Sequence, residues 1–224
     1  MVVGTIIVPP DETRFDRARR LSTPATRIPP HFLDQPRGPA PVAATSLMAG
    51  VWVFGYGSLV WRPGIEFRDR RIARVRGWAR RFWQGSHDHR GMPHAPGRVV
   101  TLVPDRGESC EGVAYLVDES AAEATFAGLD HREKNGYERH AVRLEFRAGG
   151  TADGVVYIAP AGNRAWLGPA PVDDMVEQIR RSAGPSGANI DYLRELAVAL
   201  RELAIDDPHV FELERRALES EDAD

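Results

Sequence analysis

Two short stretches of the 224-residue chain hold residue types that could do chemistry. The first is the sequence GYGS at residues 55–58, which follows the alternating bulky apolar residues expected of a buried strand. Two glycines around one tyrosine permit left-handed or tightly turned backbone and leave peptide N–H groups uncovered. Such a row of donors suits an anion or a polarised carbonyl oxygen. The same letters also describe a plain glycine turn after a strand, and the pattern alone leaves both interpretations open.

The second stretch is the charged run LDHREKNGY at residues 129–137, which contains Glu133. A carboxylate held in a cavity can act as a general acid or base. A dense run of charges is more often a solvated surface, and the residues alone favour that interpretation. The run lies far from the glycine turn along the chain, so the fold must bring both stretches to one cavity if they are to act together.

A polar loop at residues 84–97 offers a possible metal site. His87, His89 and His94 could bind zinc, but no carboxylate or histidine at regular helical spacing completes a set of ligands. We favour a polar loop that forms the rim of a substrate site. The single cysteine, Cys110, has no histidine placed beside it by the sequence, so we interpret it as structural and not nucleophilic.

The composition limits the class of protein. The length fits one ordinary domain with tails, and the formal net charge of -3 gives no sign of a nucleic-acid partner. Arginines and aromatic residues are interleaved through residues 70–86, but core packing explains the aromatic residues more simply than a nucleic-acid platform does. No apolar run reaches the length of a membrane span, and no secretory signal is evident. Together with the lone cysteine, these features predict a cytoplasmic location.

Three regions of the chain differ in composition. Residues 1–49 form an extension rich in proline and arginine, predicted to be mobile or draped over the surface, and Met48 is a candidate for the true translation start. Residues 50–219 form the folded domain, and residues 220–224 form an acidic tail. Within the domain, strands precede helices, and this order predicts an α+β fold.

Hydrophobic periodicity and turn signals predict the elements of the domain. Residues 98–103 and 111–117 are predicted to form a hairpin around the turn at residues 105–107. Residues 120–129 are predicted to form a short helix with Ser120 as its N-cap. Further strands are predicted at residues 70–86, 138–146 and 154–158, and helices at residues 171–183, at residues 189–205 and after residues 207–208.

The sequence GYGSLVW at residues 55–61 resembles the signature of the γ-glutamylcyclotransferase superfamily, and most closely its ChaC branch of glutathione-specific enzymes. Further matching segments follow in the expected order, over roughly residues 51–218: RRFWQGSHDHRGMP, PGRVVTLVP, LDHREKNGYER, WLGPAP and GPSGANIDYLRELA. The resemblance implies a small, mostly antiparallel β-barrel flanked by helices, with the active site in a cavity at one end.

The resemblance also implies an activity and the residues that perform it. Glutathione would be cleaved to 5-oxoproline and cysteinylglycine by intramolecular aminolysis, with Glu133 as general acid and base and with no metal or organic cofactor. Arg132 and Lys134 would then have to point away from Glu133, because their charges would oppose a raised pKa of its carboxyl group. The candidates for substrate binding are Tyr56, Gly57, Ser58, Leu59 and Tyr192, with Gln84, Ser86 and Arg98 as weaker candidates for the cysteinylglycine half. A structural hydrogen bond explains each of the weaker candidates at least as well as substrate contact does.

Other functions remain open at this stage. The same cyclisation could act on other γ-glutamyl amines or peptides, or the glycine turn could serve a γ-glutamyl-binding module without turnover. A carboxylate at position 133 argues against the binding module, because a binder gains nothing from a base there. The expected partner is a small molecule, with no nucleic acid and no membrane, and the sequence does not indicate an oligomeric state.

Overall fold

A closed β-barrel organises the residues that the computed structural model describes, 50–133 and 135–219. Its five strands are β1 Gly50–Gly55, β2 Asp69–Ser86, β3 Gly97–Asp118, β4 Glu138–Phe146 and β5 Thr151–Ile158. Their order around the barrel is β1-β3-β2-β4-β5. Neighbouring strands are antiparallel except β1 and β5, which pair in parallel. Closure removes the free sheet edges that would otherwise invite pairing with another chain.

Within residues 50–219 four helices accompany the barrel, and three of them follow it in the last third of the chain. They are α1 Glu119–Arg132, α2 Val172–Arg181, α3 Asn189–Glu202 and α4 Pro208–Glu219. A 3-10 turn, Ser58–Val60, follows β1, and two short strands, β6 Ala183–Gly184 and β7 Gly187–Ala188, join α2 to α3. This architecture confirms the predicted α+β fold, with its mostly antiparallel barrel and its helical C-terminal third.

The hairpin predicted within residues 98–117 is wrong, because these residues form the single strand β3. Both predicted strands pair with the long strand β2 and not with each other. Residues 105–108, which include the predicted turn, bulge out of the ladder opposite Gly77, whose φ is 79°. Because β2 continues on both sides of Gly77, it supplies partners for both ends of β3, and the turn signal produces a bulge instead of a reversal.

Helix α1 also differs from its prediction at both ends. The predicted N-cap Ser120 is wrong, because Asp118 precedes the helix and Ser120 lies inside the first turn. The helix continues past Leu129 to Arg132, and Glu133 is its C-cap. Leu129 is buried against the barrel, which holds this last turn in place. Half of the predicted charged run therefore lies at the end of a helix and not in a solvated loop.

The apolar stripe predicted for α3 is confirmed. Leu193, Leu196, Ala197 and Leu200 are fully buried, and they pack in one core with residues from the barrel and from α2 and α4. This core fixes the C-terminal helices against the barrel, so that side chains from α3 can reach the barrel end.

Several predictions fall outside the described residues. These are the proline-rich extension at residues 1–49, the translation start at Met48, the orientation of Lys134 and the acidic tail at residues 220–224. Of the helices in the described part of the chain, none combines the length and the apolar character needed to cross a bilayer.

Candidate active site

One cavity of about 390 Å³ brings the two chemically interesting stretches together. It opens where the carboxyl ends of β1, β2 and β5 meet the start of β3, and Phe54, Ser86, Val99 and Tyr157 line it from these strands. The glycine turn and Glu133 both face this cavity. The volume lies within the range of small-molecule sites, and more of the lining is apolar than polar, as such sites usually require.

The glycine turn uses its glycines for close approach. A Cβ atom on Gly55 would lie 2.6 Å from the Leu59 Cβ, and one on Gly57 would lie 3.0 Å from the Tyr192 hydroxyl. Neither glycine has a positive φ, so the turn does not adopt the left-handed backbone conformation that the sequence suggested. The compact turn lets Tyr192 pack against the backbone at the cavity wall.

Peptide donors are available at this turn. The N–H of Val60 donates to the carbonyl oxygen of Gly57 at 2.9 Å, which is the first hydrogen bond of the 3-10 turn. The N–H groups of Ser58 and Leu59 precede that bond and have no partner within the turn by its geometry. Both residues line the cavity, so the predicted row of donors belongs to a segment of its wall.

Glu133 is held at the end of α1 with its side chain in the cavity. Its backbone N–H donates to the carbonyl oxygen of Leu129 at 2.7 Å, and its side chain is 18% exposed. Burial raises the pKa of the Glu133 carboxyl above its ordinary value, Arg132 opposes this rise, and the negative charge of Asp88 adds to it. A carboxyl group with a raised pKa is suited to exchange protons near neutral pH.

The prediction that Arg132 points away from the site is wrong. Its guanidinium donates from Nη2 to the Ser58 Oγ at 2.8 Å, and from Nη1 to the carbonyl oxygens of Arg62 and Pro63 at 3.1 Å each. Its Nε lies 3.5 Å from the Glu133 Oε1. Because α1 ends beside the 3-10 turn, this arginine ties the helix end to the glycine turn and fixes their relative position.

Three tyrosines line the cavity, of which Tyr56 and Tyr192 are buried and Tyr137 is partly buried. The Tyr56 hydroxyl donates to the carbonyl oxygen of Tyr157, and the Tyr137 hydroxyl donates to that of Val100, both at 2.7 Å. The Tyr192 hydroxyl forms a hydrogen bond with the backbone of Val100. Burial raises the pKa of all three phenols, so they remain neutral hydrogen-bonding groups. Tyr137 was missed by sequence reasoning, although it belongs to the same charged run as Glu133.

Three weaker candidates from the sequence have different surroundings. Ser86 lines the cavity, and its Oγ accepts a hydrogen bond from the backbone N–H of Arg90 at 3.0 Å. Gln84 does not line it, and its side-chain amide donates to the Asn135 carbonyl oxygen at 2.9 Å. Arg98 lies outside the lining as well, with protein acceptors around its guanidinium. Substrate contact by Gln84 and Arg98 is therefore not supported, and Gln84 instead holds the segment that follows Glu133.

The polar loop contributes two charged residues that sequence reasoning did not assign. Asp88 and Arg90 both line the cavity. Arg90 donates to the Ala188 carbonyl oxygen at 2.9 Å and to the Glu195 carboxylate at 3.0 Å. One oxygen of the Asp88 carboxylate, Oδ1, is buried and has no hydrogen-bond partner among the described residues. The loop therefore contributes charged side chains to the cavity. In the sequence, only the polarity of the loop indicated this.

The alternative zinc site finds no support in the described part of the chain. No group of three or more potential ligands lies close enough there to hold a metal ion. His89 instead forms a hydrogen bond with the Ser186 hydroxyl at 3.1 Å. Cys110 is a free, buried thiol, and burial raises its pKa to about 11, which is the opposite of what a nucleophilic cysteine needs.

Comparisons with known proteins identify the family of this chain. The family model described as ChaC-like protein matches residues 51–220. Glutathione-specific gamma-glutamylcyclotransferase 1 of Danio rerio is 39% identical over 178 residues, which cover 76% of this chain and 90% of the relative. Gamma-glutamylcyclotransferase 2-3 of Arabidopsis thaliana is 43% identical over 173 residues, which cover 73% and 86% of the two chains.

A solved structure shows the same fold. The crystal structure of a yeast gamma-glutamyl cyclotransferase specific to glutathione superposes with a TM-score of 0.72 at 30% identity, covering 76% of this chain and 96% of that one. The family match spans the barrel, the glycine turn, the charged run and the C-terminal helices. On this evidence the chain belongs to the ChaC-like protein family.

Proposed function

We propose that this protein is a glutathione-specific γ-glutamylcyclotransferase that converts glutathione to 5-oxoproline and cysteinylglycine. The observation that carries the proposal is that Glu133 and the donors of the glycine turn line one cavity although they are far apart in sequence. The relatives named for this activity, which match most of the chain, support it.

The reaction is a cyclisation within one molecule. The α-amine of the γ-glutamyl group attacks the δ-carbonyl carbon, a new C–N bond closes the five-membered ring, and the amide bond to cysteine breaks. No water is consumed and no covalent enzyme intermediate forms. Because nucleophile and electrophile already belong to one substrate, the protein contributes mainly by holding the chain curled, and such orientation can supply about 7–11 kcal/mol of the barrier.

Proton transfer is the task of Glu133. The α-amine is mostly protonated at neutral pH and cannot attack, so the ionised Glu133 carboxylate takes one proton from it. After ring closure the former ammonium nitrogen gives up a second proton. Both protons end on the leaving nitrogen, which departs as the ammonium group of cysteinylglycine. A general acid–base group of this kind contributes about 10²–10⁴-fold to the rate.

The glycine turn supplies electrostatic stabilisation. The peptide N–H groups of Ser58 and Leu59 are aimed at an anionic oxygen of the reacting substrate, either the developing oxyanion or the α-carboxylate. Loss of one oxyanion donor typically costs about 10²–10³-fold in rate. Tyr56 and Tyr192 close the cavity beside this turn and exclude water from the reacting atoms.

Location and partners belong to the same proposal. The expected partner is the small-molecule substrate, and the mechanism includes no metal or organic cofactor. The single buried cysteine agrees with a reducing, cytoplasmic location.

The test is direct detection of the products. The purified protein is incubated with glutathione and, in parallel, with a γ-glutamyl dipeptide that lacks the cysteinylglycine half, and 5-oxoproline is quantified by chromatography. The proposal expects 5-oxoproline and cysteinylglycine in equal amounts from glutathione, and little product from the dipeptide. Comparable turnover of both substrates would move the specificity to γ-glutamyl compounds in general. Binding of glutathione without product would indicate a binding module instead.

A further inference from the structure

The loop between β2 and β3 places a second carboxylate in the cavity. Asp88 lies two residues after the end of β2, lines the cavity with Glu133, and raises the pKa of the Glu133 carboxyl through its negative charge. A cation that enters a cavity lined by two carboxylates is attracted to both of them.

The Asp88 side chain is 33% exposed, and one of its two carboxylate oxygens lacks a partner in the described structure. Its Oδ1 is buried and has no hydrogen-bond partner among the described residues, and its Oδ2 lies 3.9 Å from the His89 Nε2, beyond hydrogen-bond distance. A buried anionic oxygen without a donor is costly, so its presence in a native protein calls for a ligand or another reason.

The neighbouring arginines are engaged elsewhere. Arg90 donates to the Ala188 carbonyl oxygen and to Glu195. Arg132 donates to Ser58 and to two backbone carbonyl oxygens of the 3-10 turn region. Neither guanidinium forms a hydrogen bond with Asp88 in the described structure, so the partner that best fits this carboxylate is a cation brought by the substrate.

We propose that Asp88 binds the α-ammonium group of the γ-glutamyl substrate and thereby selects substrates with a free α-amine. This inference rests on the proposed function. Asp88 holds the ammonium group while Glu133 removes a proton from it, and the neutral amine keeps a hydrogen bond to Asp88 that orients its lone pair toward the δ-carbonyl. When the nitrogen becomes positive again on attack, the same carboxylate stabilises that charge.

The experiment compares two ligands that differ only in the amine. Glutaryl-cysteinylglycine keeps both carboxylates of glutathione but lacks the α-ammonium group. Calorimetry in a Glu133→Gln background, where glutathione is not consumed, gives the dissociation constant of each ligand with Asp88 intact and after Asp88→Asn. We expect Asp88→Asn to weaken glutathione binding about tenfold or more, and to leave glutaryl-cysteinylglycine binding unchanged or tighter.

Controls separate a binding role from a structural one. Asp153→Asn removes the same charge from a side chain that is 88% exposed and paired with Arg143, and it should change neither constant. The dissociation constants of both ligands are measured on the same preparation of each variant, so partial unfolding affects both measurements alike and leaves their ratio unchanged. Asp88→Ser tests the same ratio with a second substitution.

Two outcomes would overturn the inference in different ways. An equal loss for both ligands, or no loss for either, would mean that Asp88 does not recognise the ammonium group, while the proposed activity would stand on the turnover assay. Absence of glutathione binding when Asp88 is intact, together with absence of turnover in the protein with Glu133, would remove the proposed function and this inference with it.

Discussion

Arg98 and Glu133 are both charged, and both were expected from the sequence to touch substrate. Arg98 is buried and the Glu133 side chain is 18% exposed, yet their surroundings differ in more than burial. The Arg98 guanidinium donates to the Gln178 side chain at 2.7 Å and to the carbonyl oxygens of Phe82 and Gly168 at 2.9 and 3.1 Å. Its backbone N–H and C=O both bond to the Asn189 side chain. Every one of these partners belongs to the protein, so Arg98 joins β3 to the helical part of the molecule.

Among the described residues, Glu133 has no comparable set of partners. The Arg132 Nε is 3.5 Å from the Glu133 Oε1, and the negative charge of Asp88 acts against the ionisation of Glu133. A buried charge surrounded by protein donors or acceptors stabilises the fold, whereas one left without them is available to a ligand at a cost in stability. The structural role of Arg98 and the proposed catalytic role of Glu133 therefore differ in how completely each charge is hydrogen-bonded, and not in burial alone.

The largest expected effect tests the catalytic side of this comparison. Glu133→Gln keeps the shape of the side chain but removes the base, so release of 5-oxoproline from glutathione should fall about 10²–10⁴-fold while the fold is retained. The measurement is product formation by chromatography, with circular dichroism to check the fold. Glu123→Gln changes an exposed glutamate on the same helix and should leave turnover unchanged. Normal turnover by Glu133→Gln would remove Glu133 from the mechanism.

The variant Arg98→Met tests the structural role of Arg98. This change leaves buried acceptors at Phe82, Gly168 and Gln178 without their donor, so the free energy of unfolding should fall by about 2–4 kcal/mol. Denaturant unfolding measures this, and kcat/KM per folded molecule should change only a few-fold. Arg143→Met, which removes an exposed arginine paired with Asp153, should cost less than about 1 kcal/mol. If Arg98→Met instead abolished turnover in a fully stable protein, the sequence-based assignment of Arg98 to the substrate would be right.

A smaller effect concerns stability against pH. The Glu133 pKa is higher in the folded protein than in the unfolded chain, so folding favours the protonated form and stability is lost as pH rises through the folded pKa. Glu133→Gln removes this loss. Its melting temperature should equal that of the parent protein below the ordinary glutamate pKa of 4.5 and exceed it by a few degrees at neutral pH.

Thermal unfolding from about pH 4 to pH 8 measures this gap. The exposed-site variant Glu123→Gln should show no such gap at any pH. A Glu133→Gln protein that melts below the parent at neutral pH would show that the carboxylate is a stabilising partner like Arg98, and the contrast between the two groups would disappear.

The smallest expected effect is the removal of metal. Charge in the proposed reaction is stabilised by peptide N–H groups and protons are moved by Glu133, so incubation with EDTA should leave turnover unchanged. Activity that is lost with EDTA and restored by a divalent cation would show that the mechanism is incomplete.

Local features of the fold could be predicted from the sequence. Alternating apolar residues before GYGS predicted β1 and the turn after it, and apolar residues on one side of a 3.6-residue period predicted the buried stripe of α3. Both signals depend on near neighbours in the chain, and the structure keeps them. The resemblance to known enzymes then supplied the barrel and the position of Glu133, neither of which periodicity could provide.

Features that depend on a contact with a segment far away in the chain could not be predicted from the sequence. The turn signal inside β3 became a bulge because β2 runs past it on both sides, and Arg132 turned toward the site because the end of α1 lies beside the 3-10 turn. No pattern within either segment describes the strand or turn that it meets.

The sequence by itself therefore determined which residues could do chemistry and where the backbone would turn, because residue type and backbone preference are properties of short segments. Only the tertiary structure decided that Glu133 faces the glycine turn, that Arg98 is satisfied by protein atoms, and that Asp88 is not. The reason is that burial and hydrogen-bond partners come from residues far apart in the chain, and these set the pKa and the availability of each charged group.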